Sequence, residues 1–242
     1  MIKNIFFQVL VILEIDYTEH KIIKNNDTFF DQLIEKLANF FKEDDIPSVS
    51  KIKEEGSNPF EILISTIISA RTKDEVTYSA SKRLFSIANT PLKISKLSED
   101  QIANIIYPAG FYKVKAKNIK KTSEILVQKY NSQVPSNMEE LLTLPGVGRK
   151  TANLVLAVGF QKDGLCVDTH VHRISNRLGI VSTKTPLETE MALREILPKK
   201  YWEIYNKLLV ILGQKICHAK KTCCENCPIN KLCKKIGVKG KF

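Results

Sequence analysis

The amino-acid sequence predicts an all-α protein. Apolar residues recur three or four positions apart in most segments, which is the period of an amphipathic helix, and no segment keeps the alternation of a strand. Residues that favour helix starts, such as Asn58 followed by Pro59, precede several of these segments. We therefore expect the 242 residues to form about ten helices with short connections.

The N-terminal third contains two clear helical patterns. The first begins at Asp27, a favourable N-cap, and repeats Phe30, Leu33, Ile34, Leu37 and Phe41 at helical spacing. Residues 44–58, DDIPSVSKIKEEGSN, are expected to be a linker or an irregular segment. Asn58 then caps NPFEILISTIISA, whose lack of a polar face predicts a buried helix. Residues 1–26 match no recognisable segment and form an N-terminal extension.

Further helices follow in the rest of the chain. Ser98 and Gln101 have the spacing of a capping box, and the basic stretch AGFYKVKAKNIKK leads into a helix that reaches Tyr130. The remaining predicted helices cover residues 74–88, 138–143, 149–159, 168–178, 187–197 and 201–216.

The charge of the chain indicates a polyanionic partner. Lysine and arginine total 37 against 26 acidic residues, a formal net charge of +11. Nucleic acid and a membrane surface both attract such a protein, and charge alone does not choose between them. No apolar run reaches the ~18 residues that a membrane span needs.

The cysteines indicate a metal or cluster site. Five of the six crowd between Cys217 and Cys233, whereas a disulfide framework would spread them through a secreted chain. Four thiolates bind either zinc or an iron–sulfur cluster. Zinc sites more often pair two Cys-x-x-Cys knuckles, and here there is one. Composition does not decide between Cys223 and Cys224 as a ligand.

The stretch LPGVGRKTA lies between two apolar helical segments. Gly146 and Gly148 permit a positive φ or a close approach of another backbone, and Arg149 opens a helix whose first N–H groups point outward. The spacing is not that of a nucleotide-binding P-loop. It fits either a corner that only packs or a hairpin that grips a DNA backbone. The net charge, Arg149 and Lys150 favour the hairpin.

Several motifs together resemble one known family. LPGVGRKTANLVL followed by VDTHVHRISNRLG resembles the helix-hairpin-helix DNA glycosylases, and endonuclease III most closely. The gaps of six, two and five residues between Cys217, Cys224, Cys227 and Cys233 match the iron–sulfur spacing of that family, which selects Cys224 over Cys223. NPFEILISTIISARTKDE and AGFYKVKAKNI match two more of its segments in the right order. The resemblance covers residues 58–233.

The resemblance implies a fold and an activity. It implies a two-lobed helix-hairpin-helix glycosylase fold, with a six-helix barrel over residues 51–160 and a second lobe from 27–50 and 161–242 that carries a [4Fe–4S] cluster. It also implies a monomer, cytoplasmic and associated with the nucleoid, that binds double-stranded DNA with damaged bases or abasic sites. Such an enzyme excises oxidised pyrimidines through a lysine Schiff base and cuts the strand by β-elimination.

The same resemblance assigns residues to the catalytic steps. Lys150 matches the catalytic lysine of the family and Asp168 its catalytic aspartate, and Asp168 is also a plausible N-cap. Gly146, Gly148 and Arg149 match the hairpin that holds DNA.

Damage recognition is assigned to two other positions. Phe111 matches the wedge that fills the gap left by an extruded base, although core packing is an alternative for this residue. Arg71 matches the partner of the widowed base, where many bacterial relatives carry glutamine. The lysines that follow Phe111 form either part of a phosphate-binding rim or a solvated face; they are Lys113, Lys115, Lys117, Lys120 and Lys121. His170 and His172 lie too close in sequence to share one helix face, and are either near DNA or structural.

Two other functions remain open from the sequence. One is a monofunctional glycosylase that acts on a mismatched adenine or thymine, against which Lys150 argues. The other is a non-catalytic DNA-binding protein with a structural cluster, against which the pair of Lys150 and Asp168 argues.

Overall fold

The computed structural model of the chain describes residues 25–42 and 45–239. These residues contain twelve α-helices and no strand, apart from a single antiparallel bridge between Cys217 and Thr222. The all-α prediction is confirmed. Residues 1–24, which make up most of the expected N-terminal extension, and the side chain of Asp27 lie outside the described residues.

The helices follow one another with short connections. In chain order they are α1 (Asn25–Phe40), α2 (Ser48–Glu54), α3 (Pro59–Ser69), α4 (Asp74–Ile87), α5 (Pro91–Ser95), α6 (Glu99–Ile106), α7 (Tyr112–Lys129), α8 (Met138–Leu142), α9 (Arg149–Leu154), α10 (Thr169–Leu178), α11 (Pro186–Ile196) and α12 (Trp202–Lys215). A π-helical turn, Val155–Gly159, continues α9. None of these helices has both the length and the apolar character needed to cross a bilayer.

The local start signals of two helices act as predicted. Asn58 caps α3 with Pro59 at its first position, and Ser98 and Gln101 form the capping box of α6. Helix α1 begins at Asn25, so Asp27 lies inside it rather than at its cap.

The predicted linker over residues 44–58 is wrong, because it contains α2. Val49 and Ile52, three residues apart, are buried, and Asp74 accepts hydrogen bonds from both the N–H and the hydroxyl of Ser48. No side chain caps this helix. Its stability comes from tertiary contacts, which leave little local trace in the sequence.

The described chain divides into two compact units. One runs from Pro47 to Cys166, and the other combines the residues through Ile46 with those from Val167 onward. In the first unit, eight of the eleven residues of α3 are buried, as its apolar sequence predicts. Helix α7 packs against α5 and α6, and α3 packs against α4 and the π-helical turn.

In the other unit, α12 packs against α1 and α10. Tyr205 of α12 is fully buried, its ring meets that of Phe30 edge-on at 6.2 Å, and its hydroxyl shares a 2.8 Å hydrogen bond with Ser175. This core places the start of α10 and the end of α12, after which the cysteine-rich segment begins.

Candidate active site and cysteine cavity

The glycine turn between α8 and α9 is held in place by hydrogen bonds and by a buried valine. Val147 is buried, and its N–H donates to the Leu144 carbonyl at 3.1 Å. The Pro145 carbonyl accepts from the hydroxyl of Thr122 on α7 at 2.9 Å. The turn is therefore held to α7, while Gly146 and Gly148 remain exposed.

The two glycines of the turn have different roles. Gly146 has φ +79°, and a Cβ there would come within 3.0 Å of the Asn118 side chain. Gly148 has φ −96°, which any residue adopts, and a Cβ there would meet nothing within 4 Å. Only Gly146 is required by the backbone conformation of the turn. Gly148 instead leaves open space beside the start of α9.

Substitutions at the two glycines should separate folding from binding. Gly146→Ala should lower the free energy of unfolding by about 1–3 kcal/mol, because alanine is disfavoured at positive φ. Gly148→Ala should leave stability unchanged or slightly raised, since its φ suits alanine, yet should weaken binding to undamaged duplex. Chemical denaturation and a duplex titration measure the two effects. Unweakened binding by Gly148→Ala would show that no DNA backbone approaches this turn closely.

Helix α9 begins with the residues expected to meet DNA. Its N-cap is Gly148, which has no side chain to accept the first N–H groups. Arg149 is half-buried and Lys150 is exposed. The Lys150 carbonyl lies 3.7 Å from the thiol of the buried Cys166. The lysine is thus fixed through its backbone while its side chain faces outward.

Asp168 caps α10, as the sequence predicts. Its Oδ1 accepts the N–H groups of His170 at 2.8 Å and Val171 at 2.9 Å. Both cap bonds end on the same oxygen, and the residue is half-buried. This arrangement fixes the orientation of the carboxylate at the start of the helix.

The two histidines of α10 make internal contacts. His170 packs against Gly213 of α12, where a Cβ would come within 2.2 Å of its Nδ1. The Nδ1 atom of His172 lies 2.7 Å from the Thr189 hydroxyl. Of the two roles that the sequence leaves open, these contacts favour the structural one.

Arg71 and Phe111 form a pair at the surface of the unit Pro47–Cys166. The guanidinium carbon of Arg71 lies 5.6 Å from the centre of the Phe111 ring. Both residues have positive φ, 53° and 56°, which is uncommon outside glycine. Phe111 is 62% exposed, so the alternative of core packing is wrong.

The five lysines after Phe111 do not act alike. Lys113, Lys117 and Lys121 are exposed and four residues apart, so they lie along one face of α7. Lys120 donates to two carbonyls near the end of α5, and Lys115 is buried, so these two do not belong to an exposed rim. Burial lowers the pKa of Lys115 to about 8.

The cysteine-rich segment surrounds a cavity. Cys217, Cys224, Cys227 and Cys233 line it, whereas Cys223 does not. The cavity is partly open to solvent, and its walls are otherwise mostly apolar; they include Ile174, Leu178, Leu212, Ile216, Ile229 and Val238. Within residues 25–42 and 45–239, no three His, Cys, Asp or Glu side chains converge on the position of a single metal ion.

N–H donors point at the sulfur atoms of this cavity. Arg177 Nη1 lies 3.2 Å from the Cys217 Sγ, and the Lys235 N–H lies 3.3 Å from the Cys233 Sγ. Burial, reinforced by the neighbouring thiols, raises the pKa of Cys227 to about 11. Burial therefore favours the neutral thiol of Cys227 until a positively charged group stabilises its thiolate.

Two arginines that sequence reasoning missed tie α10 to this segment. Arg173 donates to the Cys217 carbonyl at 2.8 Å, and Arg177 donates to the carbonyls of His218 at 2.7 Å and Ala219 at 3.0 Å. Their spacing of four residues in HRISNR places them on one helix face, which is the signal that could have identified them.

Comparisons with known proteins all match DNA repair proteins of one kind. Residues 64–199 match the model of the HhH-GPD superfamily base excision DNA repair proteins. The chain is 49% identical to Endonuclease III of Thermotoga maritima over 185 residues, which cover 76% of this chain and 87% of that protein. It is 46% identical to the chloroplastic Endonuclease III homolog 2 of Arabidopsis thaliana over 72% of this chain, but spans only 47% of that longer protein.

A solved structure extends the comparison to the fold. It shows a trapped covalent intermediate between Endonuclease III and DNA. The TM-score is 0.75 at 34% sequence identity, and the match covers 88% of this chain and 97% of that one.

Proposed function

Because the chain belongs to the endonuclease III family, within the HhH-GPD superfamily of base excision DNA repair proteins, we propose that it is a bifunctional DNA glycosylase and abasic-site lyase. Its substrate is double-stranded DNA that contains an oxidised pyrimidine or an abasic site. The observation that carries the proposal is the exposed Lys150, held at the second position of the helix that follows the glycine turn. The trapped covalent intermediate of a relative supports it.

Lys150 supplies the nucleophile. Its neutral amine attacks C1′ of the damaged nucleotide, the bond from C1′ to the base breaks, and the base leaves with a proton. Opening of the sugar ring gives an imine between Nζ and C1′, which acts as the electron sink for the next step. Removal of a C2′ proton then expels the 3′ phosphate, and water hydrolyses the imine to free the lysine.

Asp168 stabilises the first of these steps. A carboxylate near the sugar favours the positive charge that develops at C1′ as the base departs. The two cap bonds to α10 hold that carboxylate in one orientation before substrate arrives. Asp168 thus acts as an N-cap and as a catalytic residue at once.

DNA binding and base extrusion use residues at the surface of the unit Pro47–Cys166. The open space at Gly148 admits a DNA backbone, and Arg149 and the lysine face of α7 provide positive charge for phosphates. A base inside a duplex must be extruded before it can react. The exposed Phe111 fills the vacated space, and Arg71 meets the widowed base.

The four cavity cysteines suit a [4Fe–4S] cluster. Four thiols, N–H donors to two sulfur atoms and apolar walls are the environment that such clusters occupy. Cys217, Cys224, Cys227 and Cys233 would hold such a cluster, which would supply the positive charge that stabilises their thiolates and the stability that a segment with little regular structure lacks. The glycosylase chemistry does not pass through it.

Two other functions make distinct predictions. A monofunctional mismatch glycosylase would remove a base without cutting the strand, and a non-catalytic DNA-binding protein would do neither. Incubation with a duplex containing one abasic site separates the lyase from both, and a panel of duplexes with one lesion each then identifies the base that is removed. Uncut abasic DNA together with no base release would overturn the proposed function.

Asp168→Asn should separate base removal from strand cutting. Asparagine also caps helices, so the free energy of unfolding should change by less than about 1 kcal/mol. Base excision should slow by roughly 10²- to 10³-fold, because a neutral amide stabilises positive charge poorly. Cleavage of a preformed abasic site should fall much less. Single-turnover kinetics on the two substrates measure the contrast, and equal losses on both would assign Asp168 a structural role only.

A further inference from the structure

The buried Lys115 is bonded to the end of helix α3. Its Nζ donates to the Ile68 carbonyl at 2.6 Å, the Ala70 carbonyl at 2.6 Å and the Thr72 hydroxyl at 2.7 Å. These contacts use all three N–H groups of the ammonium. The last carbonyls of a helix lack partners within it and carry partial negative charge, so a cation is favoured at this place.

The same contacts surround Arg71. Two of the three acceptors belong to its neighbours, Ala70 and Thr72, so Lys115 holds the chain on both sides of Arg71. The left-handed conformation at Arg71 is disfavoured for a side chain of this size and persists only where the surroundings impose it.

Phe111 is also connected to Lys115 and Thr72 by hydrogen bonds of its segment. The backbone N–H of Lys115 donates to the Phe111 carbonyl at 3.0 Å, since Phe111 is the N-cap of α7 and Lys115 lies one turn further on. The Thr72 hydroxyl, which Lys115 contacts, also accepts the N–H of Gly110 at 3.0 Å. One lysine and one threonine therefore join the segment that carries Arg71 to the segment that carries Phe111.

The two segments also touch directly at Gly110. A Cβ at this position would lie 2.3 Å from the Arg71 carbonyl oxygen, so the two backbones meet where only glycine fits. The side chains of Arg71 and Phe111 are therefore supported by contacts among the Arg71 backbone, Gly110, Thr72 and Lys115.

We propose that Lys115 is a positioning residue for damage recognition, which holds Arg71 and Phe111 in the arrangement that extrudes a base. The inference rests on the proposed function, because it assigns a role within base excision. An apolar residue would fill the same space without the free-energy cost of burying an ammonium. This cost is reflected in the pKa of Lys115, which burial lowers to about 8. The ammonium instead fixes three oxygens around a residue of positive φ at once.

The test compares two lysines of α7. Lys115→Met and Lys120→Met each remove an ammonium that donates to backbone carbonyls in the same unit, but Lys120 contacts the end of α5 rather than the loop at Arg71. The quantity compared is the ratio of two rates: base excision from a lesion duplex over cleavage of a preformed abasic site. Lys115→Met should lower this ratio roughly 10- to 100-fold, because small displacements of the residues that hold a substrate carry such costs. Lys120→Met should leave that ratio at the wild-type value.

Two further measurements separate positioning from folding. A 2-aminopurine opposite the lesion should brighten on binding to wild type and much less with Lys115→Met, at matched occupancy of the duplex. Thr72→Val keeps the shape of the side chain but removes the hydroxyl that bridges Lys115 and Gly110, so it should shift the ratio in the same direction. It also tests the proposal if Lys115→Met does not fold.

The outcomes distinguish this inference from the proposed function. Wild-type ratios in both Lys115→Met and Thr72→Val, or an equal shift in Lys120→Met, would overturn the role of Lys115 alone. Wild-type protein that neither excises a lesion nor cuts an abasic site would overturn the proposed function instead. A lowered ratio that is confined to the variants at positions 115 and 72, with Lys120→Met at the wild-type value, would support the role.

Discussion

Lys150→Gln should give no covalent adduct when the protein is mixed with a lesion-containing duplex and borohydride, whereas the wild type should be trapped. An amide nitrogen does not form an imine, so reduction has nothing to fix. Strand cutting should fall by roughly 10³-fold or more, because both the covalent step and the β-elimination depend on the imine. Gel electrophoresis of labelled DNA reports adduct and cleavage in one experiment.

The loss should not come from misfolding or from weak binding. Lys150 is exposed, and surface substitutions usually change stability by less than about 0.5 kcal/mol. Lys113→Gln is a matched control: it removes an exposed lysine from the face of α7, so it should weaken binding and flatten its salt dependence while the adduct still forms at saturating protein. An undiminished adduct with Lys150→Gln would identify another amine as the nucleophile.

Local interactions explain why part of this structure was predictable from the sequence. The caps at Asn58, Ser98 and Asp168 join a side chain to a backbone N–H only two or three residues away, so the sequence contains both partners. Likewise, the lack of a polar face in α3 predicts its burial. The choice of the four cysteines that line the cavity came instead from the resemblance to the cysteine spacing of the family.

Long-range contacts explain what was missed. Helix α2 lacks a side-chain cap and is stabilised partly by Asp74, which lies 26 residues further on. Lys115 resembles its exposed neighbours in sequence, yet its acceptors are 43 to 47 residues away. The difference between Gly146 and Gly148 depends on backbone angles that a glycine-rich motif permits but does not specify.

Cys227→Ser should remove the iron and destabilise the segment after α12. Anaerobically purified wild-type protein should contain about four irons per chain. Cys227 lines the cavity and is half-buried, and a serine hydroxyl is a poor substitute for a thiolate ligand. Iron analysis, visible absorbance and thermal unfolding measure the effect, and the yield of soluble protein should fall as well.

Cys223→Ser is the control that gives this prediction its specificity. Cys223 adjoins Cys224 in the sequence but does not line the cavity, so its replacement should leave iron content and melting temperature at their wild-type values. Loss of iron should also loosen the contacts of Arg173 and Arg177 with the Cys217 segment, since those carbonyls are held by the same loop. Hydrogen exchange at residues 217–219 should therefore rise in Cys227→Ser and not in Cys223→Ser. Stoichiometric zinc without iron in the native protein, or iron loss in Cys223→Ser instead, would contradict the assignment of these four ligands.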